Sequence, residues 1–167
     1  RQPDFKLNEI GVISAYKAQV KKIQGALKSI LTEDERRDVA ATLDSFQGQE
    51  RDVIIYSFTR SSHKPPHVVR IGFLNELRRL NVAMTRCKEM LILVGDMDFL
   101  SSCTYEKPDE DGNLTEETYA RSEKRFSAFI RAMLDGVRNG VDGWPAGEIV
   151  SYDEFNRRME GIENGGR

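Results

Sequence analysis

Apolar positions along this chain follow two rhythms. Glu9 to Ser14 carries Ile10, Val12 and Ile13 in a short run that predicts a buried strand. Tyr16, Val20, Ile23, Leu27 and Ile30 then recur at helical spacing, with Ser14 placed to cap the helix they define. Gly25 costs that helix about 1 kcal/mol relative to alanine, less than the stripe supplies. Val39 to Leu43 and Val53 to Phe58 predict two more strands, joined by the polar run Asp44 to Glu50. Ser61 to His67, with Pro65-Pro66, is a loop. Leu74 to Thr85 is a helix bearing arginines, and Leu91 to Val94 a fourth strand. Apolar strands alternating with amphipathic helices predict an α/β fold, its sheet mainly parallel with helices on both faces.

Past Leu100 the pattern changes, so residues 1–100 read as the domain core and 101–167 as an extension of the same domain. Tyr105 to Leu114 reads as an acidic loop. Thr115, followed by Glu116 and Glu117, reads as a helix start ahead of the stripe Phe126, Phe129, Ile130, Met133, Leu134 and Val137. Tyr152 to Met159 predicts one more short helix in a helical C-terminal extension.

The 167 residues, 39% hydrophobic and 31% charged, suit one globular domain. The net charge of -2 hides an uneven spread: basic residues gather between Arg60 and Lys88, acidic ones between Glu106 and Glu117. Any nucleic-acid footprint must therefore be local. Cys87 and Cys103 form no disulfide framework or metal spacing, which fits a reducing interior. No run is long and apolar enough to span a membrane, and no signal-peptide pattern opens the chain. An intracellular protein with no membrane partner is expected. The chain begins at Arg1-Gln2-Pro3 without methionine, so a piece of a longer polypeptide is expected as well.

Two segments carry the chemistry. Arg78, Arg79 and Arg86 stay charged at any working pH and offer planar forks suited to phosphate. Arg79 and Arg86 lie seven residues apart, two helical turns, and so are expected to share one face. The loop after Thr42 follows a strand's carboxyl end, where α/β sheets gather ligands. It offers Gln47 beside Gly48, an acceptor at Glu50, and hydroxyls at Thr42 and Ser45. Alone, the helix could be a wet surface face and the loop a plain connection.

Together the segments resemble known motifs. Ile10-Gly11-Val12-Ile13-Ser14-Ala15-Tyr16-Lys17-Ala18-Gln19 resembles motif IV of superfamily 1 helicases. Leu43-Asp44-Ser45-Phe46-Gln47-Gly48-Gln49-Glu50-Arg51-Asp52-Val53-Ile54-Ile55 resembles motif V, and the run from Ile71 through Arg78, Arg79 and Arg86 resembles motif VI. The wording is most similar to the five-prime-to-three-prime branch that includes the nonsense-mediated-decay helicase and its DNA-acting relatives. Three motifs in order, over Ile10 to Asp96, imply the C-terminal RecA-like domain of a two-domain motor.

The resemblance implies roles by position. Arg86 matches the arginine finger, which reaches the γ-phosphate of ATP held by a partner domain. Glu50 matches the acid that contacts the ribose, and Gln47 and Gly48 the turn linking nucleotide state to the nucleic-acid strand. Arg79 is implied at the nucleotide, with Arg78 or Arg79 free to be structural. Ser14, Tyr16, Thr42, Asp44 and Ser45 match positions that touch single-stranded DNA or RNA. The implied partners are that strand and an N-terminal RecA-like domain of the same polypeptide; the implied cofactors are ATP and Mg²⁺, the metal held mainly by the other domain.

The departures narrow this further. No Gly-x-x-x-x-Gly-Lys-Ser/Thr occurs, so the phosphate cradle is missing and the isolated chain is expected to be inactive. The arginine-bearing motif that precedes motif IV in the family is missing too. Leu91 to Asp96 resembles a strand ending in a metal-binding acid, yet its place after motif VI makes it sheet core. No metal site is expected: His63 and His67 lack a third ligand, and Asp109 to Gly112 lacks calcium-loop spacing. The alternative is a non-catalytic RecA-like module that binds nucleic acid or a partner. A nuclease fits poorly, since no acid or histidine cluster could hold two metals.

Overall fold

Apolar β-formers build the first strand, β1 (Ile10–Ser14), in which Gly11, Ile13 and Ser14 are buried. The computed structural model describes residues 6–46, 48–61, 77–102, 106–108, 114–119, 121–140, 147–151, 153–154 and 156–158. β1 lies between β2 (Ala40–Thr42) and β3 (Arg51–Ser57), and β4 (Cys87–Val94) adds to β3, giving the order β2-β1-β3-β4. All three pairings are parallel. Helices α1 (Lys17–Ala26), α2 (Glu33–Val39), α3 (Leu77–Met84) and α4 (Met97–Ser102) connect or follow the strands. The predicted parallel α/β architecture is the observed one, a RecA-like domain.

Register fixes which residues share an end. Ser14 pairs with Thr42 and with Ser57, and Ser57 with Val94, so these form the carboxyl end. Arg51 pairs with Cys87 at the amino end. Seven residues of β3 at about 3.3 Å each separate the two ends by about 20 Å.

The chain forms two compact units, residues 1–128 and 129–167. In the first, Ile13, Ile54, Phe58, Ala83, Leu100 and Phe126 are fully buried. Phe58 meets Tyr56 and Phe126 edge-to-face, at 4.9 Å and 6.3 Å between ring centres. Each such side chain contributes about 1.5–3 kcal/mol through burial.

Several boundaries differ from the predicted ones. Ser14 ends β1 and does not cap α1; the cap position is Tyr16, whose side chain makes no capping bond. After Ala26 the helix tightens into a 3₁₀ turn, which breaks the helical phase and leaves Ile30 72% exposed. Val39 ends α2, a helix the apolar pattern does not reveal. Its signal is a capping box: Thr32 Oγ1 accepts from the Glu35 N–H, and Glu35 accepts from the Thr32 N–H at 2.8 Å. The Thr32 hydroxyl first, then its backbone, hold the Glu35 carboxyl below its ordinary range.

β4 starts earlier than Leu91, because Cys87 and the residues after it pair with β3. It is the edge strand, and Met90, Ile92 and Val94 on one face are 39–50% exposed. Leu74 to Glu76 of the predicted arginine helix and Ser62 to His67 of the predicted loop lie outside the described residues.

The segment after Leu100 departs most. β5 (Glu106–Pro108) pairs antiparallel with β6 (Leu114–Tyr119), and α5 starts only at Arg121, running Arg121–Asn139. Thr115 is therefore a strand residue, not a helix cap; Thr and Tyr favour extended backbone when a partner strand is present. In the second unit Ile130, Met133 and Leu134 are buried on one stripe of α5. Helical backbone recurs at 153–154 and 156–158, within the predicted last helix. There Arg158 bonds Glu148 at 2.6 Å and holds that carboxyl below its ordinary range.

Candidate functional site

The carboxyl end of the sheet is a hydroxyl-rich cluster. Ser14, fully buried, donates through Oγ to the Ser57 carbonyl at 3.1 Å, shares a 2.9 Å bond with Thr59 Oγ1, and accepts from the Tyr16 N–H. With its hydroxyl engaged inside, Ser14 organises its neighbours. Gln19 on α1 donates to Ser57 Oγ at 3.3 Å. The Leu43 N–H donates to the Ser14 carbonyl, tying β2's exit to β1. Thr42 Oγ1 and Ser45 Oγ share a 2.8 Å bond, and the Ser45 N–H donates to Thr42 Oγ1, closing a tight turn. Asp44 and Ser45 are exposed on it. Ser14, Tyr16, Thr42, Asp44 and Ser45 thus gather at one end.

Thr59 and Arg60, which the sequence reading passes over, complete that end. Thr59 has φ +66°, and the Arg60 N–H donates to the Phe58 carbonyl at 2.7 Å, so a tight γ-turn follows β3. It sets the Arg60 guanidinium 5.2 Å from the centre of the Tyr16 ring, with Nε donating to the Tyr16 hydroxyl at 3.1 Å. The signal available was position alone: both residues follow a strand's carboxyl end.

Glu50 and Arg86 sit at the opposite end. The Arg51 N–H donates to the Arg86 carbonyl at 3.1 Å, which joins the starts of β3 and β4. Arg86 lies beyond α3, which stops at Met84, so Arg79 and Arg86 do not share one helix face. Strand pairing at Cys87 takes the chain out of the helix before Arg86 is reached. Arg79 is on α3, but its side chain, like the whole of Gln47, lies outside the described residues. Gly48 adopts φ +85°, a conformation open to glycine, and Glu50 is exposed.

The two arginines here differ in a decisive way. Arg51 is held by Asp38 and Gln49, each at 3.1 Å, by the Glu50 carbonyl, and by the Phe46 ring at 5.3 Å. Arg86 has no side-chain hydrogen bond or ion pair among the described residues, whereas the Nε of both arginines is buried without a partner. A guanidinium without a side-chain partner is chemically suited to an anion.

One loop joins the ends. Residues 43–50 leave β2 at the carboxyl end and enter β3 at the amino end, passing β1 on the way. Phe46, 1% exposed, anchors the passage on β1, where Gly11 leaves room: a Cβ there would lie 2.6 Å from Phe46 Cζ. Among the described residues no three His, Cys, Asp or Glu side chains gather into a metal-binding group, and no helix is long and apolar enough to cross a membrane.

A four-stranded parallel sheet with its helices is the build of a RecA-like domain. The family model described as an AAA domain matches residues 1–98, and the chain belongs to that family, as a superfamily 1 helicase domain of the kind found in regulators of nonsense transcripts. It is 47% identical over 97 residues to the DNA polymerase alpha-associated DNA helicase A of Saccharomyces cerevisiae, covering 58% of this chain and 13% of that protein. It is 41% identical over 103 residues to the regulator of nonsense transcripts 1 homolog of Drosophila melanogaster, covering 58% and 8%. It is 39% identical over 158 residues to the putative helicase mov-10-B.2 of Danio rerio, covering 90% and 13%. The chain therefore spans only about a tenth of the length of these relatives.

Proposed function

We propose that this chain is the second motor domain of an ATP-dependent helicase or translocase inside the cell. It completes, in trans, a nucleotide site whose phosphate cradle and Mg²⁺ ligands belong to an N-terminal RecA-like domain of the same polypeptide. Arg86 supplies the finger at the γ-phosphate, Glu50 accepts from the ribose, and Gln47, Gly48 and Arg79 complete this half of the site. Ser14, Tyr16, Thr42, Asp44 and Ser45 form the end that grips single-stranded DNA or RNA, largely through phosphates and without sequence preference.

The observation that carries the reading is Arg86: backbone bonds hold it in place and, unlike Arg51, its side chain has no hydrogen bond or ion pair among the described residues. The residues fit an anionic phosphate. ATP supplies the energy of phosphoryl transfer, and this chain orients and neutralises charge. The 43–50 loop gives a mechanical route between the ends, because Phe46 and Arg51 brace it along its length.

The experiment is ATP turnover by the whole polypeptide with and without single-stranded DNA and RNA. Turnover that rises with a single strand is expected. A protein that binds nucleic acid without hydrolysing ATP would replace the motor with a binding module.

A further inference from the structure

We propose that Arg60, held against Tyr16 by the Thr59 turn, is a phosphate-gripping residue for single-stranded nucleic acid. The inference rests on the reading of the sheet's carboxyl end as the nucleic-acid face, and adds to it a cation that Ser14, Tyr16, Thr42, Asp44 and Ser45 do not supply.

Three observations converge. The first is the guanidinium itself. Arg60 is half-buried, and among the described residues its only side-chain interactions are the Nε bond to the Tyr16 hydroxyl and the ring face below it. Among the described residues Nη1 and Nη2 have no acceptor and no carboxylate pairs with them. Most other described arginines are committed: Arg37 to Glu33, Arg51 to Asp38, Arg157 to Glu154 and Arg158 to Glu148. A fork with one edge fixed and its two terminal nitrogens free suits a phosphodiester, whose oxygens can take both N–H groups at once.

The second is strain. A β-branched residue at positive φ is a rare conformation, and Thr59 adopts it at +66°. Its hydroxyl holds it there, by donating to Ser14 Oγ at 2.9 Å. Strain of this kind persists where the surroundings over-determine it, and here its effect is to turn Arg60 back over Tyr16.

The third is the neighbouring field. α1 begins right after Tyr16 with no side-chain cap and no acidic residue in its first turn. Its positive dipole end is left uncompensated beside Arg60, and Lys17 in that turn is exposed. Unpaired cation and bare helix start both favour an anion at this place.

The test titrates fluorescent homopolymeric deoxythymidine and uridine oligonucleotides with the full-length protein over a range of salt concentrations, with unfolding midpoints read alongside. Arg60→Ala should weaken binding about tenfold for both polymers. It should also make the dependence of log affinity on log salt shallower by about 0.7, the share of one phosphate on a single strand. Arg60→Lys keeps the charge and the stem but loses the fork, so it should retain the salt slope at reduced affinity, and it reports even where Arg60→Ala unfolds. Tyr16→Phe, which removes only the hydroxyl that aims Nε, should lose affinity in the same direction by a smaller factor. A lowered midpoint with unchanged salt slope would make Arg60 a structural brace and overturn the proposal. Wild-type affinity and slope in both Arg60 variants would overturn it too, while leaving the nucleic-acid face intact. Failure of the wild-type protein to bind either polymer would overturn the face itself.

Discussion

Arg86→Ala should lower ATP turnover by the whole protein by about 10³–10⁵-fold and leave nucleotide affinity nearly unchanged. The asymmetry follows from what Arg86 does and does not touch. Its backbone is fixed by the Arg51 N–H and by its own bond to the Ala83 carbonyl, so truncating the side chain leaves the β3–β4 junction in place. Its head is unsatisfied, so folding loses no internal bond when it goes. What disappears is a charge aimed at where negative charge develops during transfer, an interaction worth most in the transition state. Arg86→Lys restores charge but not the planar fork, and should recover only part of the rate. Single-turnover hydrolysis beside nucleotide-binding titration separates the two effects. Turnover that survives the alanine change would remove Arg86 from the finger role.

Phe46→Ala should cost about 3–5 kcal/mol of stability, a large share of the 5–15 kcal/mol typical of a domain. Phe46 is 1% exposed, sits against Gly11 in a gap that no other residue type at position 11 would leave, and carries Arg51 over its ring. Removing it empties that gap and frees the loop that connects Thr42 to Glu50. Urea or thermal unfolding reads the loss, and the midpoint should fall by several degrees at least. The same change should blunt the stimulation of ATP turnover by a single strand even where the protein stays folded, because the brace between the two ends is gone. A loss under about 1 kcal/mol would mean that the loop is held by its ends alone.

The strands and α1 were legible because burial on both faces of a parallel sheet demands continuous apolar runs, and Ile10 to Ile13 and Val53 to Phe58 supply them. α2 was legible in principle, from Thr32 and Glu35 three residues apart, but its short span carries no apolar stripe. The β5–β6 pair was not: Thr115-Glu116-Glu117 satisfies the local grammar of a helix start, and only pairing with Glu106–Pro108 overrules it. Pairing is a non-local fact, and local composition cannot report it.

The candidate site divides in the same way. Residue types suggested phosphate chemistry at Arg86, which stands as a proposal, and the hydroxyls of Thr42 and Ser45 are bonded to each other in the turn after β2. Which end of the sheet each occupies depends on register, and Arg51 opposite Cys87 puts Glu50 and Arg86 about 20 Å from Ser14 and Thr42. The Thr59 turn leaves no trace in the sequence, since threonine is a poor candidate for positive φ. Arg60 could be found only once its partner Tyr16 was placed beside it.

The central claim is that this chain holds one half of an ATP site. The most direct measurement compares ATP turnover by the 167-residue chain alone with turnover by the whole polypeptide, each with saturating single-stranded nucleic acid. The account predicts none from the chain alone and robust, strand-stimulated turnover from the whole. Robust turnover by the chain alone would contradict it.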